Sequence, residues 1–150
     1  MLEDVTYRTV TGDAGWSAEI PNNWQKQQSD SVEVYGVSDS TFSSVGVSVQ
    51  NVDMTYSQMS ASYGQWLKEN AEQNGFADFQ ASTGKLGRET CRKYTMIQDP
   101  DGAAIHYEVY VTIHNGKMYT VSIAVSDVYA SEYHLDILYH VVNSFTFASK

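Results

Sequence analysis

His106, Glu108 and His114 are the side chains in this sequence best suited to chemistry, and all three fall in one alternating stretch, Ile105 to Val125. At a period of two they share a strand face, with His106 and Glu108 side by side. An imidazole next to a carboxylate is the start of a metal site or of an acid–base pair. A metal would need a third ligand from another strand, and Glu33 is the candidate. A half-exposed polar face with ordinary hydrogen bonds is the simpler reading, so no metal or other cofactor is expected. His134 and His140 stand six apart on a helix and do not share a face, unlike the i, i+4 pair of a helical zinc motif. Asp99-Pro100-Asp101-Gly102 echoes the opening of a calcium loop, but Ala103-Ala104-Ile105 runs straight on into the strand and supplies no later ligands. A type I turn explains it.

Nucleophiles fare no better. Cys91 is alone, which excludes an intramolecular disulfide and a cysteine-based zinc site. Arg92 and Lys93 beside it could lower its pKa, yet a structural thiol is the expectation. The chain has no Gly-x-Ser-x-Gly elbow, phosphate loop or dinucleotide fingerprint, and no catalytic residue is assigned. What remains is shape. Gly46, Ser48, Thr120, Ser122 and Ala124 are small, whereas Tyr35, His106, Glu108 and Tyr110 are large and amphipathic. On neighbouring strands they would form a shallow valley with aromatic walls, and Tyr35, His106, Glu108, Tyr110, Thr120 and Ser122 are its candidate binding residues. The competing expectation is that a helix covers the valley and lays Trp66 over the small residues.

The element that must position these groups is a long β-hairpin, IHYEVYVTIHNGKMYTVSIAV. Ile105, Tyr107, Val109, Val111 and Ile113 alternate with polar residues in its first arm, and Tyr119, Val121, Ile123 and Val125 do so in its second. Asn115-Gly116 marks the turn. A two-residue turn sets Val111 opposite Thr120 and mixes the apolar and polar sets. A three-residue loop, His114-Asn115-Gly116 with Gly116 left-handed, sets Val111 opposite Tyr119 and leaves one face wholly apolar. Since a one-residue slip moves every side chain to the other face, the three-residue loop is the expected one.

The elements around the hairpin follow from the same rules. Tyr7 to Val10 alternates weakly, and Trp16 to Ile20 is a strand stopped by Pro21. Val32, Val34 and Gly36 form one face of a third strand, Ser38 to Ser44 is a polar loop, and Val45, Val47 and Val49 mark a fourth strand. In the helix Ser57 to Asn74, Met59, Tyr63, Trp66, Leu67 and Ala71 recur at three- and four-residue spacing, and Gly75 takes the left-handed cap. Phe76 to Leu86 and Glu89 to Gln98 are strands, and Asp99 to Gly102 turns into the hairpin. A last helix, capped by Ser131 or Asp127, presents Ile137, Leu138, Val141, Val142 and Phe145. Its expected seat is the hairpin face of Val109, Val111, Val121 and Ile123, with Tyr129 and His140 toward solvent. Short turns between neighbouring strands imply antiparallel pairing, so the fold class is α+β, a central antiparallel sheet flanked by helices.

Composition sets the outer bounds. At 150 residues the chain suits one domain, 1–150, that buries roughly 70% of its unfolded surface without a metal or disulfide. No apolar run approaches the ~20 residues of a membrane span. A net charge of −9 argues against nucleic acid or an anionic membrane surface as partner. Lys85, Arg88, Arg92 and Lys93 read as a solvated strand pair. Met1-Leu2-Glu3-Asp4 opens without a signal peptide, which fits either a cytoplasmic protein or a domain cut from an export signal and tether.

Several stretches together resemble the PsbP-like family, which includes the extrinsic photosystem II subunit, a Ran-binding nuclear transport factor and many bacterial extracytoplasmic proteins. Gly15-Trp16-Ser17-Ala18-Glu19-Ile20-Pro21-Asn22-Asn23-Trp24 is similar to the family's opening strand ending in Pro-x-x-Trp. The valine strand Val45 to Val52, the helix, the hairpin at Asn115-Gly116-Lys117-Met118-Tyr119, and the closing Ile137 to Phe147 with Val142-Asn143-Ser144-Phe145 complete the likeness. The resemblance implies a central antiparallel sheet with helices on its faces, an α–β–α sandwich. It transfers no residue-level role in photosystem or Ran binding. The expectation is a non-enzymatic binding or assembly module, an extracytoplasmic bacterial domain whose partner is a protein or small ligand. A cytoplasmic protein-binding regulator is one alternative, and a hydrolase or metal-dependent enzyme on the polar sheet face is the other.

Overall fold

A computed structural model describes residues 6–12, 15–22, 24–27, 33–36, 44–98, 105–114, 116–126 and 139–147. In chain order these give β1 Tyr7–Thr11, β2 Trp16–Pro21, β3 Gln25–Gln27, β4 Glu33–Gly36, β5 Ser44–Asn51, α1 Tyr56–Gln73, β6 Phe76–Leu86, β7 Glu89–Gln98, β8 Ile105–His114, β9 Lys117–Ser126 and β10 Thr146–Phe147. Residues 139–143 are helical. Among the described residues two sheets form, a seven-stranded one in the order β3-β4-β5-β9-β8-β7-β6 and a three-stranded one in the order β1-β2-β10, and every pairing is antiparallel. The fold is an α+β sandwich. The expected strands are present, and β3 and β10 are additions, too short for a period of two to register. The turn at Asp99–Gly102, the loop at 38–43 and the cap of the last helix lie outside the described residues.

The hairpin closes in the other register. His114 pairs with Lys117, Val111 with Thr120 and Val109 with Ser122, so the loop holds two residues, not three. Gly116 does adopt φ +75°, where glycine is favoured. The three-residue expectation fails because it assumed that one sheet face is dry and the other wet. Both are covered. On one face Tyr94, Met96, Val109 and Val111 of β7 and β8 pack beneath Met59 and Ala71 of α1. On the other, Val45, Val47, Val121 and Ile123 of β5 and β9 pack against Trp16 and Ile20 of the small sheet, Val141 of the last helix and Phe145 just beyond it. Each strand alternates as read, but the buried phase switches sides between β8 and β9.

That switch also redirects the last helix. Val141 and Phe145 do join Val121 and Ile123, but Val109 and Val111 belong to the opposite layer. Ile137, Leu138 and Tyr129 lie outside the described residues. His140 is exposed as expected, and there its ring stacks on Tyr7 at 3.8 Å and its Nε2 lies 2.8 Å from Glu19 Oε1. α1 begins on a capping box, with Thr55 Oγ1 accepting from the Gln58 amide and Gln58 Oε1 accepting from the Thr55 amide.

Candidate functional site

The predicted binding face divides with the register. His106, Glu108 and Tyr110 stay together on the face that carries Val121 and Ile123, whereas Thr120 and Ser122 point the other way with Val109 and Val111. Tyr35 pairs with Val45 at the other end of the sheet. Glu33, on the same strand β4, is three strands from β8, roughly 14 Å at ~4.8 Å per strand. It therefore cannot complete a metal site with His106 and Glu108. His114 is drawn off toward Glu89, 3.6 Å away, and toward the ring of Phe147. Among the described residues no group of three His, Cys, Asp or Glu side chains converges. His134 and Asp99 lie outside them.

Where His106 and Glu108 were read as the reactive pair, the structure gives Glu108 different partners. Tyr110 donates its hydroxyl to Glu108 Oε1 at 2.6 Å, and Lys93 Nζ stands 3.7 Å from the same oxygen. The Lys93 ammonium also lies over the rings of Tyr110 and Tyr139, at 5.6 and 5.8 Å. Burial, then the hydrogen bond to Glu108, pushes the Tyr110 phenol strongly upward. A phenol so placed holds its proton and serves as a donor, not a base. Lys93 was hidden in the sequence inside an apparent basic patch. Alternation splits that patch: Lys93 faces Tyr110, while Arg92 shares the α1-covered face with Tyr94 and Val111.

Cys91 is fully buried behind this cluster, and burial pushes its thiol up to about 11 despite Lys93 and Lys85 pulling it down. The neighbouring cations therefore do not activate it, because desolvation outweighs charges that are themselves hydrated.

A concave feature among the described residues lies on the opposite face. Beneath the second half of α1 a cleft of about 210 Å³ opens between Leu67, Asn70 and Asn74 on the helix and Phe76, Met96 and Tyr107 on the sheet. Its wall is almost wholly apolar. The ring of Phe76 meets Tyr107 edge-on at 5.2 Å, and the Tyr107 hydroxyl donates to Gln98 Oε1 at 3.2 Å. Trp66 does not cover the small residues; it is 55% exposed. Tyr63 is the residue that reaches toward Thr120, its phenol raised by burial and lowered by a side-chain hydrogen bond there. The sequence held this signal. Met59, Tyr63, Leu67 and Ala71 repeat at four and define one stripe, and Trp66 falls off it by one position. The tilted Tyr63–Trp66 pair, 5.5 Å apart, thus carries aromatic surface from the core out to solvent next to the cleft.

No family model and no curated protein matches the sequence. Solved structures do. Mog1p of Saccharomyces cerevisiae, a Ran-binding protein, superposes with a TM-score of 0.64 at 12% identity over 95% of this chain and 96% of its own. The cyanobacterial PsbP of Synechocystis sp. PCC 6803 does so with a TM-score of 0.65 at 12% identity, over 95% and 93%. LpqN of Mycobacterium tuberculosis, involved in cell envelope biogenesis, gives 0.58 at 15% over 98% and 94%. A Bacteroides thetaiotaomicron protein gives 0.67 at 15% over 94% of this chain, which spans only 48% of that protein. With its element order, its two covered sheet faces and these superpositions, the chain has the PsbP/Mog1-like fold.

Proposed function

We propose that this domain is a non-enzymatic binding or assembly module, working outside the cytoplasm of a bacterium, that takes an apolar side chain of a protein partner. The observation that carries the reading is the cleft under α1. It is concave and apolar, and the exposed indole of Trp66 stands on the neighbouring helical stripe. Binding surfaces concentrate their energy in such aromatic anchors beside small apolar pockets. The extracytoplasmic location draws support from the likeness to LpqN. The likeness to Mog1p favours a second reading, a cytoplasmic regulator that binds a protein. An enzyme on the polar sheet face is less favoured, since Glu108 already has two partners there.

A photocrosslinking amino acid at Asn74, on the rim of the cleft, tests the proposal in the source organism, with cell fractionation alongside. A trapped protein lost in Trp66→Ala and Leu67→Asn but kept in Lys93→Gln is the expected outcome. Equal trapping by all three variants would sink the cleft, and adducts confined to the cytosol would favour the regulator.

A further inference from the structure

Three buried polar atoms under the first half of α1 have no hydrogen-bond partner: Ser60 Oγ, Arg92 Nε and Tyr94 Oη. Two of them stand together: Arg92 and Tyr94 are alternate residues of β7 on the face that α1 covers, and Arg92 Cζ lies 5.9 Å from the centre of the Tyr94 ring. The helix descends closely here, for a Cβ at Gly64 would sit 3.4 Å from Tyr94 Oη. Ser60 precedes Gly64 by one turn on the same stripe. Tyr94 is 0% exposed, and its phenol is raised by burial while Arg92 works against the shift. Arg92 is thus a hydrogen-bond partner of the Tyr94 hydroxyl at poor geometry, which leaves both groups short of a full bond.

All three atoms carry a proton to donate; the hydroxyls can also accept, but the guanidinium cannot, so Arg92 Nε sets the demand for an acceptor. The charge points the same way. Arg92 donates from Nη1 to Thr83 Oγ1 at 3.0 Å, but no carboxylate among the described residues pairs with it. An unpaired, half-buried guanidinium is out of keeping with a chain of 18 acidic and 9 basic residues. The place lies toward the sheet edge, where β6 is the last strand and Thr83, which accepts from Arg92, is exposed.

We propose that Arg92, Tyr94 and Ser60 form a binding site for a small oxyanion, a carboxylate or a phosphate. One of its oxygens accepts from Arg92 Nε and Tyr94 Oη, and the guanidinium balances its charge. The site is separate from the cleft, which lies under the other half of the helix.

The test is a nuclear magnetic resonance titration that follows the Arg92 Nε–H signal. Sodium formate and inorganic phosphate are added in separate arms, each against sodium chloride at equal ionic strength. The expected result is a saturable shift with an oxyanion and none with chloride. The arm that responds tells a carboxylate ligand from a phosphate one. Tyr94→Phe, which removes a single oxygen, should weaken binding by roughly five- to tenfold, the worth of one hydrogen bond. Arg92→Gln should abolish the oxyanion-dependent rise in melting temperature. A response that never saturates, an equal response to chloride, or a high-resolution structure in formate with water alone between the three atoms would overturn the proposal.

Discussion

Gly87→Ala is the substitution the structure condemns most clearly. Gly87 sits in the turn from β6 to β7 at φ +63°, and its amide donates to the Val142 carbonyl at 2.9 Å. A Cβ there would lie 1.9 Å from the Phe145 carbonyl oxygen and 2.9 Å from its carbonyl carbon. Both are backbone atoms and cannot swing aside. Phe145 is itself 2% exposed and stacks on Trp16 at 5.5 Å. The turn is thus clamped to the end of the last helix, and the helix end to the small sheet. A methyl group forces these apart. The left-handed backbone costs an alanine about 1–2 kcal/mol, and the strained contact adds about 1–3 kcal/mol. Losing the amide hydrogen bond adds roughly 1 kcal/mol more.

Gly116→Ala provides the control that separates these terms. Gly116 has nearly the same backbone, φ +75°, but nothing lies within 4 Å of a Cβ built on it. It should lose only the conformational part, about 1–2 kcal/mol. Urea unfolding of the two variants should therefore differ by roughly 2–4 kcal/mol at an unchanged m-value, a large share of a stability of ~5–15 kcal/mol. Equal losses, within about 0.5 kcal/mol, would refute the clamp.

Thr55→Ala removes the Oγ1 half of the reciprocal cap on α1, leaving the backbone amide that donates to Gln58 Oε1, and should cost about 1 kcal/mol in urea melts. Phe145→Ala should cost ~3–5 kcal/mol by leaving a hole between Trp16 and Val121, whereas His140→Ala, which loses an exposed pair with Glu19, should cost less than about 1 kcal/mol. Cys91, raised from 9.0 to about 11, should resist a thiol reagent at pH 8 until the protein unfolds. Its folded pKa lies above its unfolded one, so its contribution is intact below pH 9 and fades as the pH rises toward about 11. An alkaline melting series with Cys91→Ser as the comparison measures that loss.

How much of this was written in the sequence turns on β8 and β9. Their alternation, the strand Val45 to Val52, the stripe of α1 and the Gly75 cap were all legible, because each depends on spacing within one element. The register between the two arms was not, because Asn115-Gly116 serves a two-residue and a three-residue loop alike. Choosing between them required a premise about what covers each face. A premise of one dry face selects Val111 opposite Tyr119, and the structure pairs Val111 with Thr120 instead. The candidate binding residues were then assembled on that premise, which is why His106, Glu108 and Tyr110 parted from Thr120 and Ser122.

The pairing found, in which apolar and small polar residues stand opposite each other, is what a sheet with two offset covers requires. α1 lies over β6 and β7, while the small sheet and the last helix bury the β5 and β9 side of the other face. Each cover demands apolar residues only beneath itself, so the buried phase must change sides along the sheet. Away from its cover each face keeps polar groups. On one side these are Lys93, Glu108 and Tyr110, which satisfy one another. On the other, α1 leaves Ser48, Thr120 and Ser122 half-buried and overhangs the cleft at its far end. A covering layer narrower than its sheet leaves an opening at its edge, and in this chain Leu67, Phe76 and Tyr107 line that opening.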